Sequence, residues 1–327
     1  MIRFCRDTAG PCLAPGGSVV CVGAFDGVHL GHRALLARVR AQAAERGLVP
    51  IAISFEPIPR EFFARGGPVP RLTSAREKIG LIAASGVETL LMLRFDAALA
   101  AMQPETFVER VLVERCAARE VWVGGDFRFG HARRGDVAML EALGARLGFI
   151  VHVMEDFEVA GERVSSSAIR RHLAAGEFEA AARLLGRPFS IGGHVVRGAR
   201  LGRKLGWPTA NLRLGRRVSP VSGIFAVCVH GLDEGAVWPG VASLGLRPTV
   251  NGSEPLLEVH LFDFAGDLYG RRIEVEFVAK LREEVKFADL DAMVCQIERD
   301  ADEARAILRS VRRSQDTGSR LAPGRLR

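Results

Sequence analysis

Between Ser18 and about Gly186, short β-branched or apolar runs alternate with longer stretches of helical spacing, and past Arg187 that alternation stops. Candidate strands lie at 19–22, 49–55, 89–95, 120–124 and 149–154. After the first of them, Leu35, Leu36, Val39 and Ala43 are spaced to form one apolar helical stripe. Strand then helix, repeated, specifies a parallel sheet covered by helices. In such sheets ligands sit at the carboxyl ends of the strands. Beyond 187, short strands at 194–196, 224–230, 237–244, 256–262 and 273–278 are separated by Gly, Pro and Asn turns, which reads as a small β-barrel or sandwich. The last patterned stretch places Leu290, Met293, Val294, Ile297, Ala301, Ala304 and Leu308 on one face of a helix that packs on it. After Ser310 turn formers and arginines dominate, and a disordered basic tail is expected. With 327 residues the chain exceeds what one core usually serves, so the reading is two domains, 1–186 and 187–312, followed by a tail at 313–327.

Composition narrows the functions. Hydrophobic residues at 48% and charged residues at 25% are those of an ordinary soluble protein. A net charge of +7 and an isoelectric point near 9.5 point to anionic partners: nucleic acid, acidic lipid or phosphate-bearing small molecules. The excess is local, because residues 187–218 hold eight basic and no acidic side chains. Of the 45 cations 41 are arginine, which reflects genomic base composition as readily as function. Cys5, Cys12, Cys21, Cys116, Cys228 and Cys295 show no metal or redox spacing, and a reducing cytoplasm fits them. Neither a compact signal-peptide segment nor an apolar run long enough to span a bilayer is present in the sequence.

The segment VCVGAFDGVHLGH, residues 20–32, lies where a strand ends and a helix begins. Gly23, Gly27 and Gly31 let backbone approach a ligand, and the helix N-terminus presents N–H groups and positive potential to phosphate. His29 and His32 stand on that first turn, where they either cap the helix or act on the ligand. In VSSSAIR (164–170), hydroxyls of Ser165, Ser166 and Ser167 begin a helix, with Arg170 on the face of Ser166 and Ser167. That grouping suits polyphosphate, although the segment alone reads first as an N-cap with a solvated arginine. Asp126 and Phe127 follow a strand and reach its active edge, while Phe129 is as readily core.

GAFDGVHLGH resembles the signature of the nucleotidyltransferase superfamily, in the version found in bacterial bifunctional riboflavin kinase/FAD synthetases. VGGDFRFGHARRGD (123–136) and VSSSAIR are similar to later adenylyltransferase motifs, with Ser167 where threonine is more usual. GHVVRGARLGRKLGWPTANL (193–212), GVASLGLRPT (240–249) and LEVHLFDFAGDLYGR (257–271) resemble the riboflavin kinase domain. The resemblance implies a Rossmann-like nucleotidyltransferase domain followed by a small antiparallel β-barrel kinase domain with a C-terminal helix. It implies phosphorylation of riboflavin to FMN and adenylylation of FMN to FAD, each with ATP and Mg²⁺, in a cytoplasmic monomer or weak homo-oligomer with neither membrane nor nucleic acid as partner.

By the same resemblance His29 and His32 are catalytic, and Gly23, Phe25, Asp26, Gly27, Gly31, Asp126, Phe127, Arg133, Ser165, Ser166, Ser167 and Arg170 bind nucleotide. Glu258 is the kinase base; Gly198, Gly202, Arg203 and Gly206 form a phosphate loop, and Thr209 and Asn211 hold Mg²⁺ with ATP. The chemistry agrees with these roles. A phosphate monoester with a second pKa of about 6 is already a nucleophile at neutral pH, so adenylyl transfer needs positioning and charge stabilisation. A ribityl hydroxyl is a weak nucleophile, and a carboxylate base is worth roughly 10²–10⁴-fold. On residues alone Glu258 reads first as a surface glutamate of an alternating strand. Thr209 and Asn211 are hard oxygen donors on one side of an extended segment. Two positions depart from the family pattern: Ile58 stands where histidine is frequent, and Trp207 where phenylalanine is usual.

Overall fold

The computed structural model describes residues 2–65, 67–198, 202, 205–215, 218–233, 235–249 and 252–319. Packing divides the chain into two units. One runs to Ala168 and takes in Leu184–Gly186; the other holds Ile169–Arg183 and the chain from Arg187 onward.

The first unit contains, in order, β1 (Arg3–Cys5), β2 (Ser18–Val22), α1 (Leu30–Arg46), β3 (Val49–Glu56), α2 (Pro59–Phe62), α3 (Ala75–Ala84), β4 (Thr89–Arg94), α4 (Ala97–Ala101), α5 (Pro104–Phe107), a π-helical stretch Val108–Arg115, β5 (Ala118–Gly124), α6 (Val137–Leu147) and β6 (Ile150–Met154). A small hairpin, β7 (Glu158–Val159) and β8 (Glu162–Arg163), turns at Ala160 and Gly161, both with positive φ, as a two-residue hairpin requires. The sheet order is β1-β4-β3-β2-β5-β6, and every pair is parallel. From β2 the chain steps outward to β3 and β4, then crosses back for β5 and β6. The topological switch point therefore lies between β2 and β5.

Side-chain alternation builds a core on each face. Val19, Cys21, Ala52, Leu90 and Met92 pack with Leu36, Val39 and Ala43 of α1 and Ile82 of α3. Val20, Val22, Ile51, Ile53 and Val121 face the other way onto Val111, Leu112 and Leu140. Helix α1 ends at Gly47, φ 63°, a left-handed C-cap, and α3 opens with the Ser74–Glu77 capping box. The five strands expected from the sequence are all present, and β1 joins them as an edge strand of three residues, too short to be read in advance.

Helices α7 (Ser166–Ala174) and α8 (Phe178–Leu185) follow. Phe178 stacks on Phe277 and meets Phe225 edge-on, so most of this helical pair packs with the second unit. That unit is a closed antiparallel barrel of β9 (Ser190–Val196), β10 (Ala210–Arg213), β11 (Gly223–His230), β12 (Trp238–Thr249), β13 (Gly252–Leu261) and β14 (Arg272–Arg282), ordered β10-β13-β12-β11-β14-β9. Of the two architectures left open by strand texture, closure selects the barrel. Phe225, Val227, Leu257, Val259, Ile273 and Val275 are fully buried. Helix α9 (Leu290–Ser319) buries Ala301, Ala304 and Leu308 against Ala226, Val241 and Phe262 of the barrel wall. The helix extends past residue 312, where the sequence reading ends the domain, and 320–327 lie outside the described residues.

Candidate active sites

The β2–β3 ladder continues one step beyond β2, with Gly23 N–H donating to Ile53 O at 3.0 Å. The chain then turns through Phe25 (φ 50°), Gly27 (φ 86°) and Val28 (φ 40°) into α1. Left-handed backbone at a non-glycine residue costs about 1–3 kcal/mol and persists only where neighbours hold it. They do so here. The Asp26 carboxylate, 2% exposed, accepts from the backbone N–H groups of Leu72 at 3.1 Å and Thr73 at 3.2 Å. Gly27 N–H donates to Thr73 Oγ1 at 3.1 Å, and the Ser166 hydroxyl donates to Asp26 O at 2.9 Å. A Cβ at Gly27 would fall 2.8 Å from Leu72, so glycine is needed for both space and φ.

His29 is the N-cap of α1: its Nδ1 accepts from His32 N–H at 3.3 Å, which puts the ring hydrogen on Nε2. The rings of His29 and His32 stack at 3.6 Å beside Gly31, and Phe25 meets His32 edge-on at 5.1 Å. His32 Nδ1 is enclosed without a hydrogen-bond partner among the described residues. Burial first, then the neighbouring His29 and Lys78 charges, hold His32 well below the ordinary histidine range, so it is uncharged at neutral pH.

Beyond β5, Phe127 stacks on Phe129 at 5.4 Å, while Asp126 is exposed and turned toward Arg163 at 3.6 Å. Phe127 and Phe129, with Phe55, Phe63, Phe95 and Phe107, wall a cavity of about 710 Å³, and Arg60 and Arg133 stand at it. Phe129 is thus both core and wall. Ser165 caps α7 by accepting from Ala168 N–H at 3.1 Å, and the Ser167 hydroxyl accepts from Arg60 at 3.4 Å. Arg170 follows one turn along α7. Ile58 is buried, 2% exposed.

Sequence reasoning passed over a charged cluster under this loop. Arg71 makes a bidentate pair with Glu56 at 3.0 and 3.1 Å and a further bond to Glu61 at 2.6 Å. Lys78, fully buried, reaches Phe55 O at 2.8 Å, Ala24 O at 3.3 Å and Glu56 Oε2 at 3.3 Å. The available signal was a lysine and an arginine inside otherwise apolar spacing, which patterning alone assigns to solvent.

In the barrel, register aligns Asn211 of β10 with Glu258 of β13, and Glu258 with Ser243 of β12. Directly opposed residues share a face, so these three form one row across three strands, outside the buried Leu212, Leu257 and Leu244. Ser243 and Glu258 of this row line a cavity of about 320 Å³, together with Gly202, Thr209, His260, Arg282 and, from α9, Met293 and Ile297. This accounts for the half-buried start of the α9 face. Asn211 is 6% exposed, and a Cβ on Gly198 would lie 2.8 Å from its amide. Gly206 turns with φ 83°. Arg203 lies outside the described residues. Trp207 packs edge-on to His260 at 4.8 Å, and His260 Nδ1 bonds Pro208 O at 2.8 Å.

Comparison with known proteins gives the family. The FAD synthetase family model matches residues 13–168 and the riboflavin kinase family model matches residues 185–308. The chain is 42% identical to a bifunctional riboflavin kinase/FMN adenylyltransferase of Haemophilus influenzae over 90% of this chain and 95% of that protein. The chain belongs to this bifunctional family. Similarly named proteins of Pseudomonas fluorescens and Escherichia coli are each 46% identical, covering 89% and 88% of this chain and 93% and 92% of theirs. A solved structure described as a macrolide-efflux protein from Streptococcus pneumoniae superposes with a TM-score of 0.75 at 27% identity, covering 92% of this chain and 98% of that one.

As a riboflavin kinase/FMN adenylyltransferase, the chain is an enzyme whose substrates and products are riboflavin, ATP, FMN and FAD. Its FAD synthetase match contains the histidine loop and the phenylalanine-walled cavity, and its riboflavin kinase match contains the Asn211–Glu258–Ser243 row. Among the described residues no helix is long and apolar enough to cross a membrane.

Proposed function

We propose that residues 1–186 carry FMN adenylylation and residues 187–312 carry riboflavin phosphorylation, with separate sites for the two steps. In the first, the flavin rings occupy the phenylalanine-walled cavity, whose volume and flat aromatic walls suit a fused ring system. A phosphate oxygen of FMN attacks the α-phosphorus of ATP, and pyrophosphate leaves. His29, with its ring hydrogen on Nε2, and uncharged His32 donate to the phosphate oxygens at the α1 N-terminus, where charge develops. Ser165, Ser166, Ser167 and Arg170 bind the polyphosphate. Asp26 shapes the loop through backbone N–H groups and does not meet the nucleotide directly.

In the second step the Glu258 carboxylate takes the proton of the terminal ribityl hydroxyl as that oxygen attacks the γ-phosphorus, and ADP leaves. The observation that carries this assignment is the placement of Glu258 on the wall of the 320 Å³ cavity, in register with Asn211 of the neighbouring strand. Thr209 and Asn211 supply neutral hard oxygens beside a carboxylate, a donor set that fits Mg²⁺. The ion would neutralise charge on the ATP phosphates. Gly198, Gly202, Arg203 and Gly206 belong to the phosphate loop preceding these ligands. Six free thiols support a reducing cytoplasm as the setting, and we assign the chain as a monomer or weak homo-oligomer.

The test is incubation of purified protein with riboflavin, ATP and Mg²⁺, followed by chromatography of the flavins. FMN and FAD are expected in sequence; absence of both overturns the assignment.

A further inference from the structure

A fully buried lysine next to an active loop requires an explanation, because an ammonium ion removed from water is costly unless its donors are satisfied. Lys78 meets that condition. Its three N–H donors have three acceptors: Ala24 O, Phe55 O and a carboxylate oxygen of Glu56. Three acceptors match the three donors of the charged form. The carbonyls it binds belong to the residues just past β2 and at the end of β3, the two strand ends beside which the histidine loop is built. Ala24 O also accepts from the Ser54 hydroxyl at 3.2 Å, and the left-handed turn begins at the next residue, Phe25. From the other side of the same loop, Arg71 and Glu56 continue the network to within 3.6 Å of Asp26.

We propose that Lys78 is a positioning residue for adenylyl transfer: it clamps the carboxyl ends of β2 and β3 under the histidine loop and keeps a positive charge behind His32. The rings that pack on His32 are those of His29 and Phe25, and the Lys78 charge acts on it after burial and His29. The lysine thereby keeps a proton off His32 and holds His29 and His32 in their stacked arrangement. The proposal rests on the assignment of these histidines to the adenylyl step. Burial also depresses the protonation of Lys78 itself, with Glu56 opposing that effect in part. Lys78→Met leaves Phe55 O without this donor while Glu56 keeps its pair with Arg71, so a loss of stability in the first unit is expected beside the kinetic effect.

The test is Lys78→Met in the full-length chain, with FMN formation and FAD formation from added FMN measured on the same preparation. FAD formation is expected to fall about 100-fold in kcat, the scale of a misplacement of around 1 Å, while FMN formation stays within twofold. The acid limb of the adenylyl pH profile is expected to move upward, toward pH 6.5, because a charge that disfavours protonated His32 has gone. Lys78→Arg, which keeps the charge, leaves the acid limb where it is in the wild type. Unchanged FAD formation in Lys78→Met overturns the proposal, as does a loss of activity without movement of the acid limb. If Lys78→Met loses FMN formation too, Lys78→Gln is measured in the same way, and loss of both activities there also overturns it. Wild-type protein that makes no FAD would instead refute the assignment of the histidine site.

Discussion

At the scale of single residues, the loop between β2 and α1 shows how chemistry and backbone constrain each other. Its glycines and histidines were legible because a strand followed by GxFDG and a helix start has few other uses. The role of Asp26 was not, since a carboxylate beside a phosphate motif suggests a ligand, and only the fold reveals Leu72 and Thr73 donating to it. Replacing Asp26 by Asn turns an amide NH₂ toward one of those donors. A loss of about 1.5–3 kcal/mol of stability in the first unit is expected by urea titration, with FMN formation intact. His32 gives a pH signature. Burial, then His29 and Lys78, place its folded-state pKa below its ordinary value of 6.5. As pH falls through 6.5 the unfolded chain takes up a proton and the folded chain does not. Stability present above pH 6.5 is lost toward the folded value, with a slope approaching roughly 1.4 kcal/mol per pH unit. Urea midpoints between about pH 5 and pH 8 should show this slope in the wild type and a smaller one in His32→Gln.

At the scale of elements, strands with strict alternation were readable and short or functional ones were not. β10, only Ala210–Arg213, was visible as a motif rather than as a strand, because its first three residues are all buried and show no alternation. The α9 face was read correctly at Ala301, Ala304 and Leu308, but Leu290 is 56% exposed, and Met293 and Ile297 line the 320 Å³ cavity rather than pack on the wall. What docks α9 there is polar: Arg282 of β14 grips Asp300 through Nε at 2.9 Å and Nη2 at 2.6 Å, and Gln296 supports the same carboxylate at 2.9 Å. Periodicity carries no trace of such a pair. Asp300→Ala should destabilise the second unit by about 2–3 kcal/mol, less than the 3–5 of a fully enclosed pair because Arg282 retains contact with water. It should also raise the KM for riboflavin while leaving FAD formation from added FMN unchanged. Denaturant titration and steady-state kinetics of both steps measure the two effects.

At the scale of the whole molecule, two packed units each contain one candidate site with the groups its chemistry needs. The first offers histidines, a helix start and an aromatic cavity for positioning two anions. The second offers a carboxylate for a weak nucleophile. The change of sequence texture near residue 187 announced two architectures, and the basic excess at 187–218 falls where the kinase phosphate loop is expected. Packing draws a finer line, because Phe178 joins Phe225 and Phe277 and takes α8 largely with the barrel. A side chain seeking an aromatic partner distant in sequence leaves no local signal. The central claim is that the two reactions run at separate sites, and reciprocal variants of the full-length chain test it most directly. His29→Ala should lower FAD formation from added FMN by 100-fold or more and leave FMN formation intact, while Glu258→Gln should abolish FMN formation and still convert added FMN to FAD. If either substitution abolished both activities in a folded protein, the two-site account would be contradicted.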